Sequence, residues 1–471
     1  MYRLICALLV MSSVLKAQQT QPNVLFILAD DLGINALNCY GNQLVESPNI
    51  DQLFESGMHF TNGYANDPTC APSRAAIMTG QLAPRTSIYR VIDRYKTAKN
   101  AREMRRYMKY LPPVSAHLYS GNSGLCPDKL NMARVFNTNG YATAAFGKWH
   151  LGTGTSAMHN IGFDEAIETK NHFNFKSIPS QNDYDSLVYN ADYCTKKGID
   201  FMTRSVQNNQ AFFLYMPYYL VHAPFDPKPQ YVRHFQNKLR GTEYEQERVI
   251  DVLAMIRSLD DSVGELMQAL TELGVDDNTI IIFTSDNGHY RVKDNNIFAL
   301  PYKGNKGDVW EGGIRVPYIF KWPEHINGST SSDSPIVHVD LLPTLADMLD
   351  LKMDKSHVMD GISLKKVLLD KGTVSRDIPL VWFYTNYSGF NSKTKQFQSK
   401  WVNVIQHQHY KLIEDVETAA FELYDLQRDP VEQSNIISEK PELAQKLMDK
   451  LEMAKKRCGL PMPLKNPEFV R

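Results

Sequence analysis

Several apolar runs of this chain end in residues able to bind a metal or move a proton. "NVLFILADD" closes on Asp30 and Asp31, "ATAAFGKWH" on Lys148 and His150, and "TIIIFTSDNG" leads into Asp286 and Asn287. "AFFLYMPYYLVHAPF" carries His222 toward its end. Asp30, Asp31, Asp286 and Asn287 offer oxygen donors, which suit a hard divalent cation such as calcium or magnesium better than zinc. Lys148, His150, His222 and Lys306, the last in "GNKGDVWEGG", add positive or proton-carrying groups. A metal with several cations is what hydrolysis of an anionic phosphate or sulfate ester requires. Charge is held on the non-bridging oxygens while the leaving oxygen takes a proton. A nucleophile completes such a set, and "CAPSRAAIMTG" offers Cys70 directly ahead of Ala-Pro-Ser-Arg. Taken singly, "ADD" reads as a cap or turn, "SDNG" as a common turn, and a lone histidine or lysine as structural or solvated. Their shared place at the ends of apolar runs is what argues for a site.

The elements that must position these residues follow from the same runs. Continuous apolar stretches indicate strands buried on both faces. Helical periodicity appears in "VIDVLAMIRSLDDSVGELMQALTELG" and "VDLLPTLADMLDL", and the alternation predicts an α/β fold with a mostly parallel sheet covered by helices. Open α/β sheets bind ligands at the carboxyl ends of their strands, so the four sets are expected to converge on one crevice. From about residue 380 the pattern changes to short strands with polar turns and then a charged helix, "KPELAQKLMDKLEMAKKR". This predicts a catalytic domain over residues 22–379 and a smaller C-terminal α+β subdomain, with a short antiparallel sheet, over 380–471.

The 471 residues, 43% hydrophobic and 22% charged, describe an ordinary globular chain, and a net charge of -1 gives no general attraction to nucleic acid. Arg3, the apolar run Leu4 to Leu15 and Ala17 fit a signal peptide over residues 1–17. That run is too short for a comfortable membrane span, so the expectation is an exported protein (periplasmic, secreted or at the cell surface) without stable membrane insertion. Cleavage leaves Cys39, Cys70, Cys126, Cys194 and Cys458, an odd set. One cysteine is then reserved for another task, and up to four are free to pair as disulfides in any of three connectivities.

"CAPSR", with "TG" beyond Arg74, resembles the C-x-P-S-R signature of the formylglycine-dependent (type I) sulfatases of the alkaline-phosphatase-like superfamily. The resemblance runs from about Asn23 to "LYDLQRDPVEQSN". It implies a three-layer sandwich around a large mixed, mostly parallel sheet. It also implies that a maturation enzyme oxidises Cys70 to formylglycine (3-oxoalanine), whose hydrated aldehyde attacks sulfur. On the same basis Asp30, Asp31, Asp286, Asn287 and modified Cys70 would bind calcium, with magnesium the less suited ion. Arg74 would steady the hydrate, Lys148 and Lys306 would hold the sulfate with His222 beside them, and His222 would protonate the departing alcohol. Asp286 would accept the nucleophile's proton, and His150 would assist sulfate release. Pro72 and Ser73 suit a helix start whose amides face an anion.

The substrate implied for an exported member is a sulfated saccharide. The stretch Arg85 to Lys109 carries nine basic residues against two acidic ones and reads either as an anion-attracting flank or as a solvated insertion. "KNHFNF" and "NGHYR" are further candidate pocket loops. Other readings are a phosphate or phosphonate monoester hydrolase on the same fold, an inactive glycan-binding descendant, and a cysteine hydrolase using Cys70 with a histidine base.

Overall fold

The computed structural model describes residues 21–91, 104–111, 124–292, 296–370, 372–374, 376–387 and 389–470. The leader at 1–17 and the middle of the basic stretch, 92–103, lie outside the described residues.

Strands β1 (Asn23–Ala29), β2 (Met58–Phe60), β3 (Ala142–Gly147), β4 (Glu165–Lys170), β5 (Lys176–Ile178), β6 (Phe212–Pro217), β7 (Thr279–Ser285), β8 (Tyr318–Lys321) and β9 (Thr330–Ser332) form one nine-stranded sheet. Its order is β9-β2-β8-β7-β1-β6-β3-β4-β5. β7, β1, β6, β3 and β4 run parallel to one another, while β8 and β5 turn antiparallel to their inner neighbours. The four strands foreseen from apolar runs are thus adjacent, and their carboxyl ends share one edge of the sheet.

Alternation along β1 explains the layers. Val24, Phe26 and Leu28 enter one core with Ala71, Ala75 and Ile77 of helix α2 (Cys70–Thr79) and Leu341 and Leu345 of α5 (Leu341–Met348). Leu25, Ile27 and Ala29 enter the opposite core with Ile50 and Leu53 of α1 (Pro48–Ser56), Phe201 of α3 (Asn190–Gln207) and Leu253 and Leu259 of α4 (Glu247–Glu272). Successive side chains of a strand point to opposite faces, so a run that is apolar at every position needs helices on both. The α/β sandwich is therefore as expected.

In the C-terminal region β10 (Leu380–Tyr384), β11 (Val402–His407), β12 (Tyr410–Asp415) and β13 (Ala420–Asp425) form an antiparallel meander. It shares a core with Ala444, Leu447, Leu451 and Ala454 of α6 (Pro441–Cys458), an i, i+3, i+4 stripe. Tyr64, Ala76 and Ile314 enter the same core, so the small sheet is fused to the large body.

A buried ionic cluster reinforces that join. Lys411 Nζ on β12, fully buried, lies 3.0 Å from Glu311 and 2.7 Å from Glu432, and the Glu311 amide donates to Glu432 at 2.7 Å. Removing one member of such a cluster leaves uncompensated charge in a dry interior. Lys411→Met is expected to lower stability by on the order of 3 kcal/mol. An unchanged denaturant midpoint would show that the cluster does not brace the fold.

The cysteines depart from one expectation. Cys39, Cys70, Cys126, Cys194 and Cys458 are all free thiols, so no disulfide forms among the described residues. The apolar cores already cover Cys194 and Cys458 as small buried side chains.

Candidate active site

Cys70 is the first residue of α2, and all ten residues of that helix are buried. Thr69, ahead of it, is extended, so the helix amides open toward the crevice with the side chain of Cys70 at their head. The approach is tied down by Ser73. Its hydroxyl donates to the Asp67 carbonyl at 2.9 Å and accepts from the Asp67 amide at 3.1 Å. One turn along, Arg74 reaches back, with Nε donating to Asp286 at 2.7 Å and a terminal nitrogen donating to the Lys148 carbonyl at 2.7 Å.

Around Cys70 the strand ends assemble. Its Sγ lies 3.4 Å from Asp30, 3.8 Å from Asp31 and 3.6 Å from Lys148 Nζ. Lys148 Nζ pairs with Asp30, while Lys306 Nζ lies 2.7 Å from Asp31. Asn287 donates to Asp31 at 2.8 Å, and the Asp31 amide donates to Asp286 at 3.2 Å. Lys148 can follow its strand so closely because Gly147 adopts φ 139°, where a Cβ would collide with the Pro217 carbonyl. The Lys306 loop is held by its own amide to the His289 carbonyl at 2.9 Å and by the Gly307 amide to the Pro68 carbonyl at 2.8 Å.

The charges bias one another. Burial and the neighbouring Asp286 push the Asp30 carboxyl up to about 7. Burial also opposes ionisation of Asp31, but Lys306, His222 and Lys148 outweigh it and hold that carboxyl well below the usual range. Burial works against the Lys306 ammonium, yet Asp31 beside it keeps it protonated far above the ordinary lysine value. Burial and Asp286 push the Cys70 thiol up, which makes it a poor nucleophile in its unmodified form.

His222 is displaced from its expected place. The apolar run to Val221 suggested a strand continuing to this residue, but β6 ends at Pro217. The chain then turns because Val221 donates to the Asp30 carbonyl at 2.7 Å and Asp30 donates to the Leu220 carbonyl at 2.8 Å. Backbone bonds to the end of β1 replace sheet pairing, and aromatic burial in the turn mimics a strand. The turn still delivers His222, with Nε2 3.8 Å from Asp31, while Nδ1 donates to the Ala223 carbonyl. Nε2 is therefore the nitrogen facing the crevice. Burial, then Lys148, lower its ring to about 3.

His150 pairs with none of Asp30, Asp31 and Asp286, and its backbone hydrogen-bonds the Glu168 carboxylate. It adopts φ 61°, its buried Nδ1 has no hydrogen-bond partner, and burial with Lys148 and Arg74 holds the ring neutral. The crevice thus gathers Asp30, Asp31, Cys70, Lys148, His222 and Lys306, with Arg74, Asp286 and Asn287 against them and His150 adjoining.

Sequence inspection missed three supports. His338 donates to the Ser285 carbonyl at 3.0 Å and accepts from the Asn66 amide at 3.2 Å, bracing the end of β7. His172 of "KNHFNF", singled out only as a possible pocket loop, donates to the His222 carbonyl at 2.8 Å. Tyr219 carries Lys148 Nζ 5.2 Å from its ring centroid. Each acts across the fold, where local pattern carries no signal. In the basic stretch Arg85 is bound to Asp360 at 2.9 Å, a structural pairing.

In the donor set the oxygens of Asp30, Asp31 and Asn287 suit a hard cation, whereas Cys70 sulfur and His222 nitrogen suit softer ones. Ligand atoms of Asp30, Asp31, Cys70 and His222 all lie within 4.8 Å of one another. The buried Oδ1 of Asn287 has no hydrogen-bond partner, which suits an oxygen waiting for a metal. Asp286 stands outside that tightest group, engaged by Arg74.

The chain is similar to known proteins over most of its length. The family model described as Sulfatase matches residues 22–351, and that described as N-sulphoglucosamine sulphohydrolase, C-terminal, matches 305–457. A sulfatase of Formosa agariphila is 28% identical, covering 95% of this chain and 91% of its own. An N-acetylgalactosamine-6-O-sulfatase of Bacteroides thetaiotaomicron is 26% identical, covering 93% and 94%. The crystal structure of Ps i-CgsB superposes with a TM-score of 0.76 at 25% identity over 92% of both chains.

Proposed function

Because the chain belongs to the sulfatase family, whose model spans residues 22–351, and is thereby a sulfuric ester hydrolase, we propose that it removes sulfate from a sulfated saccharide after export. The observation that carries this reading is the buried cluster at the head of α2, where Cys70 meets two carboxylates and a lysine within 3.8 Å. The saccharide follows from the named activity of the Bacteroides relative. Formylglycine made from Cys70 by a maturation enzyme would supply a hydrated aldehyde as nucleophile, and calcium, preferred over magnesium, would when bound make that hydroxyl more acidic. Asp30, Asp31, Asp286, Asn287 and the modified residue 70 are the ligands assigned to the ion.

The chain's own residues do the rest. Lys148 and Lys306 are paired with Asp30 and Asp31. Both ammonium groups would hold sulfate oxygens, and the α2 amides face the same charge. Arg74 fixes the Asp286 carboxylate, which accepts the nucleophile's proton, and steadies residue 70. His222 is held low chiefly by burial and Lys148. The ester's negative charge between the lysines offsets that repulsion, so the ring takes a proton and Nε2 delivers it to the leaving oxygen. His150, kept neutral, accepts a proton as sulfate is released. A cysteine hydrolase is disfavoured by the raised Cys70 thiol.

No described helix is long and apolar enough to cross a membrane. The test is sulfate release from a panel of sulfated mono- and oligosaccharides beside matched phosphate esters. Sulfate liberated from a saccharide at the higher rate is expected. Faster phosphate release would overturn the reading, as would saccharide binding without sulfate release by protein carrying the modification.

A further inference from the structure

We propose that His172 and Tyr219 are positioning residues that clamp the His222–Ala223 peptide, so that Nε2 of His222 stays at the leaving oxygen; this rests on the acid role given to His222 above. Two carbonyls of that peptide segment are held from outside it. His172 Nε2 donates to the His222 carbonyl at 2.8 Å, and the Tyr219 hydroxyl donates to the Ala223 carbonyl at 3.1 Å. The Ala223 carbonyl also accepts from His222 Nδ1. One oxygen therefore fixes both the loop and the orientation of the ring.

The side chains that make these bonds are themselves locked. His172 is 1% exposed and Tyr219 6%. Their rings meet edge to face at 5.1 Å, His172 stacks on Tyr189 at 5.9 Å, and Tyr219 lies 5.1 Å from the His222 ring. The segment needs such a clamp. β6 ends at Pro217, leaving His222 on a turn beyond the sheet, where a small shift in the loop moves the proton donor out of reach. His172 arrives from the hairpin loop between β4 and β5, so a loop at the edge of the sheet supports the residue that the turn after β6 presents.

Protonation of the leaving oxygen matters for a sugar alcohol and little for an activated phenol, whose anion departs unaided. That difference separates positioning from general structural damage. Matured protein is assayed on a sulfated sugar and on para-nitrophenyl sulfate. Tyr219→Phe removes only the hydroxyl, His172→Leu removes the donor, and His172→Gln retains an N–H. The first two are expected to lower kcat on the sugar sulfate by about tenfold or more, with kcat on para-nitrophenyl sulfate within about twofold, and His172→Gln is expected to recover part of the loss. Proportional losses on both substrates, or none on either, would overturn the clamp. His222→Ala in the same assay separates the two layers of the argument. If it shows the selective loss and the clamp variants do not, only the positioning role fails. If it shows no selectivity, the acid assignment fails and takes the clamp with it.

Discussion

Cys70→Ala is expected to abolish turnover, by about four orders of magnitude or more, with the thermal midpoint nearly unchanged. The substitution removes one sulfur that touches Asp30, Asp31 and Lys148, and the rest of the buried helix α2 keeps its packing. The other described groups of the crevice are assigned in the proposed reaction to holding the ion, binding sulfate or moving protons. Cys70→Ser sharpens the test. A serine hydroxyl, lacking the second hydroxyl of an aldehyde hydrate, has no route to eliminate sulfate. The expected result is at most a single turnover with sulfate retained on the protein, read by intact mass. Steady multiple turnover by either variant would refute the assignment of residue 70.

Lys306→Ala is expected to reduce kcat/KM by about two orders of magnitude or more, equivalent to about 3 kcal/mol of lost transition-state stabilisation. His222→Ala is expected to lose a comparable factor on sugar sulfates. The two should differ in pattern. In the proposed reaction Lys306, 2.7 Å from Asp31, stabilises charge on sulfate itself, so its loss should fall on every sulfate ester alike. His222 acts on the leaving oxygen, so its loss grows as the alcohol becomes less acidic. Near-wild-type turnover in either variant would remove that residue from the mechanism.

The core of the site was legible because it is built from strand ends. Asp30, Lys148 and Asp286 each follow directly on a buried strand, and those strands lie within the run β7-β1-β6-β3 of the sheet. The apolar runs therefore set both the fold and the convergence of the ligands. His222 was found by residue type but misplaced by period. Tyr218 to Val221 are buried and so read as strand, while the turn is made by backbone bonds to Asp30. His172 and His338 act through backbone carbonyls far away in sequence, and Tyr219 meets Lys148 from another strand end, so no local pattern marks such partners. The Glu311, Lys411 and Glu432 cluster was hidden for the same reason: its members lie on three separate segments. The cysteine count left pairing open, and the five described cysteines are free thiols.

The central claim is that the working enzyme carries an aldehyde where the gene encodes Cys70. Mass spectrometry of the peptide containing residue 70, from catalytically active protein, tests it most directly. The account predicts that sulfur and two hydrogens have been exchanged for one oxygen, in proportion to activity. Fully active protein containing only unmodified cysteine at that position would contradict it.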